Sequence, residues 1–66
     1  MTVAKISEIS STSTVSFEDA IQKGIARASK TLHGIKGAWV SEQKVKVENE
    51  KVTEYQVILR VTFVLD

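Results

Sequence analysis

Along the last quarter of the chain, apolar and polar residues alternate with a period of two. Tyr55, Val57, Leu59, Val61, Phe63 and Leu65 fall on one side, and Glu54, Gln56, Ile58, Arg60, Thr62 and Val64 on the other. This is the signature of a strand, and it predicts one over residues 51–66 with its odd positions on a core. Earlier the period changes. Phe17, Ala20, Ile21, Gly24, Ile25, Ala28 and Leu32 recur at spacings of three and four, which lines one stripe of a helix of about 17 residues, roughly 25 Å long. Ser16 is placed as its N-cap, with Asp19 three positions on as an acidic capping-box partner and Val15 with Ala20 as a weak staple. Glu18 and Asp19 begin the helix, Arg27, Lys30 and His33 come late, and Gly34 is expected to end it, so charge follows the helix dipole. Gly24 inside the apolar stripe costs about 1 kcal/mol relative to Ala, which close approach of the helix to a sheet would offset.

Two further strands are expected. Val3 to Ile9 interleaves Val and Ile with polar residues, and the run Ser10-Ser11-Thr12-Ser13-Thr14 after it favours a loop, because hydroxyl groups compete for backbone partners. From Ile35 to Glu48 the pattern is again strand-like, but Ala38 and Val40 are even whereas Val45 and Val47 are odd. A bulge near residues 41–44, or burial of both faces, accounts for the change of parity. Glu48-Asn49-Glu50-Lys51 then closes a hairpin, with Asn49 suited to a turn. The order strand, helix, strand, strand predicts an α+β subunit, a three-stranded antiparallel sheet packed on one helix, in a single domain spanning residues 1–66. The sheet face away from the helix would carry Val52, Gln56, Ile58 and Val64, joined by Gly37 and Trp39. That mixture is too apolar for a plain solvent face, so it is expected to meet other subunits or a ligand.

Composition narrows the choice. In 66 residues there is no cysteine and a single histidine, so neither a disulfide framework nor a Cys/His metal site can support a core this small. Self-association is the remaining support. Nine Lys and Arg against eight Asp and Glu disfavour an electrostatic nucleic-acid binder. The apolar runs are too short to cross a membrane, and Met1-Thr2-Val3-Ala4-Lys5 does not start a signal peptide, so a cytoplasmic protein is expected. Catalysis has no good candidate: His33 lacks an orienting carboxylate, the carboxylate pairs Glu18/Asp19 and Glu48/Glu50 serve a helix start and a turn, and the three glycines form no phosphate loop. Lys44, Lys46 and Lys51 read as a solvated hairpin. Trp39 is the informative residue. It either fills an interface or the core, or offers a stacking platform for a planar ligand, whose heteroaromatic edge the amide of Gln56 would fix.

Three separated segments carry a resemblance: Thr12-Ser13 before Ser16-Phe17-Glu18-Asp19-Ala20; Ile25-Ala26-Arg27-Ala28-Ser29-Lys30-Thr31-Leu32; and Glu54-Tyr55-Gln56-Val57 with the ending Val61-Thr62-Phe63. At these spacings, over essentially the whole chain, the sequence resembles the dodecin family. The resemblance implies a β-α-β-β subunit that builds a hollow homododecamer and stores or sequesters flavins (riboflavin, FMN or FAD) in pairs between tryptophans of symmetry-related subunits, without catalysis. It also implies cofactor-binding roles. Gly37 stands where flavin-binding dodecins carry the stacking tryptophan, Trp39 follows two positions later on the same strand face, about 7 Å away, Gln56 matches the family glutamine, and Glu42 sits where the family often has an acid near the ribityl chain. Some members lack the tryptophan and hold other ligands or calcium, so the alternative is a dodecin-like assembly that holds another small ligand or ion.

Overall fold

The computed structural model describes residues 3–65. The chain runs β1 (Ala4–Ser13), α1 (Phe17–Ala28), β2 (Ile35–Glu48) and β3 (Lys51–Val64). The strands form one open antiparallel sheet in the order β1-β3-β2, so the strand that comes last in sequence lies between the other two. That central place explains why β3 has the cleanest alternation: Val57, Leu59 and Val61 are fully buried and form the core with Ala20 of α1, flanked by Ile9, Phe17, Ile21, Ile25 and Ile35. Phe17 and Tyr55 add an edge-to-face ring pair at 5.1 Å.

β1 continues through Ser13, where sequence reasoning expects a loop from Ser10. Pairing with β3 holds it, from Ser10 opposite Ile58 to Ser13 opposite Tyr55. Its hydroxyls on the helix side bond across the interface instead of dissolving the strand. Ser11 Oγ donates to the Ala20 carbonyl at 2.7 Å. Buried Ser13 Oγ accepts from the amides of Val15 (2.9 Å) and Ser16 (3.4 Å) and donates to Asp19 Oδ2 at 2.6 Å. Tertiary bonding thus overrides the local preference of a serine-threonine run.

The Ser16 cap forms, the Asp19 amide donating to Ser16 Oγ at 2.9 Å, but the expected capping-box return does not, because the Ser16 amide donates to Ser13 Oγ and the Asp19 carboxylate accepts from Ser13. Val15, however, is 68% exposed and makes no staple with Ala20. The helix has 12 residues and ends at Ala28, well before Gly34. Ser29 Oγ donates to the Ala26 carbonyl at 2.9 Å, and the Leu32 amide returns to the Ala28 carbonyl at 2.8 Å, closing the last turn early. Gly34 still adopts a left-handed conformation, φ 78°, but in the link to β2, where its carbonyl accepts from the Val64 amide. Gly24 confirms the expected close approach. A Cβ there would stand 3.1 Å from Ser11 Cβ and 3.2 Å from Leu59 Cδ1, and a side chain would push α1 off the sheet.

β2 changes parity by bulging. Val40 lies opposite Leu59 and Glu42 opposite Ile58, so Ser41 is the extra residue, within the predicted span. A further shift near the hairpin end sets Val47 opposite Val52. It moves Val52 off the Gln56 row, a correction to its expected place on the outer face. The turn itself, Asn49 at φ 51° and Glu50 at φ 60°, is the two-residue type with both central residues left-handed. Leu65 lies beyond the end of β3 and is 53% exposed, and the expected extension of the strand to Asp66 lies outside the described residues.

Lengths decide what the helix can cover. Twelve helical residues span about 18 Å, whereas a 14-residue strand spans about 46 Å, and the molecule is 51 Å long. The helix packs on β1 and β3, and β2 keeps only Ile35 partly buried. Val40, Val45 and Val47, on the helix side by parity, remain 38%, 41% and 57% exposed.

Candidate functional site

The face turned away from α1 is built rung by rung from residues that stand opposite one another. Near one end Ile6 and Gly37 flank Thr62. Next, Glu8 and Trp39 flank Arg60, then Ser10 and Glu42 flank Ile58, and finally Thr12 and Lys44 flank Gln56. All four residues that the sequence nominates, Gly37, Trp39, Glu42 and Gln56, lie on this face, because the bulge at Ser41 keeps Glu42 on the side of Trp39.

Each has a distinct setting. Trp39 is 46% exposed. Nothing lies within 4 Å of a Cβ built on Gly37, so the ground beside the indole, one outward-facing position toward the helix link, is clear. Gln56 is half-buried, and its Nε2 donates to Ser10 Oγ at 2.9 Å, which orients the amide. A groove of about 250 Å³ runs beside it, lined by Thr12, Lys44, Lys46 and Glu54. The rungs of Trp39 and Gln56 are four residues apart on β3, about 13 Å. Both sit on one face, but within one chain they do not meet on one ring. Glu42, on the intermediate rung, lies between them.

Two neighbours of this row escape sequence reasoning. Arg60 stands directly opposite Trp39, and its Nε donates to Glu8 Oε2 at 3.3 Å across the sheet. Lys44 stands directly opposite Gln56. The alternation of β3 already placed Arg60 on the outer face; what was missing is the register, which the shift near the hairpin end and the Ser41 bulge fix together. Elsewhere among the described residues the one perturbed titrating group is structural. Hydrogen bonding from Ser13, aided by Lys23 at 3.1 Å, holds the Asp19 carboxyl below its ordinary value at the start of α1. Among the described residues no three of His, Cys, Asp and Glu come together as a cation site. Among the described residues no helix is long and apolar enough to cross a membrane.

Residues 3–66 match the Dodecin family model. The chain belongs to the dodecin family. Its fold agrees with solved dodecins over nearly the whole length. A variant of the Thermus thermophilus dodecin shares 39% identity at a TM-score of 0.93, covering 100% of this chain and 98% of that one. The dodecin of Streptomyces davaonensis shares 32% at 0.92, covering 98% and 96%. A calcium-chelating antigen of Mycobacterium tuberculosis, described as a calcium dodecin with a novel calcium-binding site, shares 32% at 0.82, covering 97% and 91%. No curated protein matches the chain's sequence. The β-α-β-β subunit expected from the sequence is therefore the dodecin fold, in an open sheet.

Proposed function

We propose that this dodecin is a flavin-sequestering protein that assembles as a homododecamer, stacking the isoalloxazine of riboflavin, FMN or FAD on Trp39. The observation that carries the reading is the half-exposed indole of Trp39 beside the open ground at Gly37, on a sheet face that the subunit's own helix leaves bare. A flat aromatic side chain with clear space beside it suits a planar ring. Gln56 serves the same ligand class, and the separation of about 13 Å supports pairing its amide with a ring carried by another copy of the chain. Closed symmetric assembly supplies that copy and also covers Val40, Val45, Val47 and Ile58. Glu42, between the two rungs, is placed to meet the polar chain of the ligand. The function is storage and shielding within the cell, without turnover, because no nucleophile and base stand together on this face.

Trp39 is the only tryptophan, so its fluorescence reports the site directly. Titration with riboflavin is expected to quench both Trp39 and flavin emission. Trp39→Ala should weaken binding by about 1–3 kcal/mol, by analogy with base–aromatic stacking, and Gln56→Ala by about 0.5–1.5 kcal/mol, the worth of one neutral hydrogen bond. Tight riboflavin binding that survives Trp39→Ala would contradict this reading and assign Trp39 to subunit packing.

The calcium-chelating relative favours a second reading, an assembly that holds an ion instead of a flavin. With no cluster of three carboxylates or histidines among the described residues, such a site would need side chains from several copies. Calcium titration of colourless protein by calorimetry separates the two: heat with calcium and none with riboflavin supports the ion.

A further inference from the structure

Trp39 is not alone on its rung. Arg60 stands directly opposite it on the central strand, and Glu8 stands on the far side of Arg60, so one line across the sheet reads Glu8, Arg60, Trp39. Side chains directly opposite on one face of an antiparallel pair lie about 4.5–5.5 Å apart at Cβ, so a ring on the indole lies within reach of the guanidinium. Glu8 takes the Nε proton at 3.3 Å, and among the described residues no other acceptor meets the group. Its Nη hydrogens therefore remain available in one plane, the arrangement that grips a pair of oxygens. The Arg60 side chain is 49% exposed and so open to a ligand.

We infer that Arg60 determines specificity at the Trp39 platform, selecting planar heteroaromatic ligands whose ring edge carries oxygen acceptors, and favouring those with negative charge on that edge. The inference rests on the Trp39 stacking reading and refines it: within one chain Arg60, not Gln56, meets the stacked ring. The dione edge of an isoalloxazine is such an edge, and its anionic reduced form or a ring carboxylate fits the fork better still. Glu8 acts through Arg60. It holds the guanidinium along the rung and offsets part of its charge, which limits the preference for anions.

The test uses the assembled protein, Trp39 quenching, and two probes: neutral lumiflavin and anionic pterin-6-carboxylate. Arg60→Gln should weaken pterin-6-carboxylate about tenfold or more and lumiflavin by only a few-fold, as charge-assisted hydrogen bonds exceed neutral ones. Arg60→Lys should restore part of the carboxylate affinity, keeping charge without the fork. Glu8→Gln should tighten pterin-6-carboxylate relative to lumiflavin, a shift that a purely structural role for the ion pair would not produce. If Arg60→Gln binds both probes as wild type does, the inference is overturned while flavin stacking stands. Should wild type bind only the carboxylate and lose it in Arg60→Gln, the inference holds and the flavin reading falls. Quenching by neither probe overturns both.

Discussion

The two faces of the same three strands differ in how completely one chain satisfies them. On the helix side, β1 and β3 close over Val57, Leu59 and Val61, the serines of β1 bond directly to α1, and a glycine removes the last obstacle to contact. On the other side, Ile6, Trp39 and a row of charged and amide groups face outward, on the face that α1 does not cover. A strand's alternation fixes which residues share a face, but burial depends on what is long enough to cover it. A helix of about 18 Å cannot shield a hairpin of about 46 Å, so β2 is left open on both sides. The covered half makes the subunit fold, and the open half is the surface proposed for assembly and ligand.

Substitutions should separate these halves. The largest effect is expected at Leu59, the largest fully buried side chain, where Leu59→Ala should cost about 2–5 kcal/mol in denaturant unfolding. A loss below 1 kcal/mol would mean that the helix-side core does not carry the fold. Gly24→Ala tests the close approach. Helix propensity alone would gain about 1 kcal/mol, but the new Cβ meets Ser11 Cβ, which cannot swing aside, so a net loss of about 1 kcal/mol is expected from overpacking. A stabilised variant would show that α1 can lift from the sheet without penalty.

The smallest effect is electrostatic. The folded-state pKa of Asp19 is depressed, so its contribution is present above the unfolded-state value, about pH 4, and is lost as the pH falls through the lower folded value. Thermal melts should show wild type losing more stability than Asp19→Asn on acidification below about pH 4. Equal losses would show that the Ser13–Asp19 bond does not favour the charged carboxylate.

The legibility of this molecule in its sequence divides along the same line. Where one residue's local chemistry decides, the reading succeeds: the Ser16 cap, the Asn49 turn, the need for glycine at 24, the parity change near Ser41 and the alternation of β3. It fails where distant bonding decides. Ser10 to Ser13 look like a loop until β3 and α1 supply partners for their backbone and hydroxyls. The helix end is set by hydroxyls at 29 and 31 that bond back to the last carbonyls, a competition that apolar spacing does not reveal. At the candidate site, alternation places Gly37 and Trp39 together on β2 and Gln56 on the outer face of β3, but Glu42 joins them only through the bulge at Ser41, and the rung assignments depend on the register shifts. For that reason Arg60 as the neighbour of Trp39, and the distance from Trp39 to Gln56, emerge only from the register.

The central claim is that the open half is completed by other copies of the chain. Light scattering on the purified protein at micromolar concentration tests it most directly, with Ile58→Asp measured alongside, since Ile58 lies at the centre of the outer face between Ser10 and Glu42. The account predicts a single closed species near twelve times the 7.3 kDa subunit mass, and a much smaller species for Ile58→Asp, where an unpaired charge would have to be buried in the contact. A monomeric wild type would contradict it, because the face that carries Trp39 would then be complete as it stands.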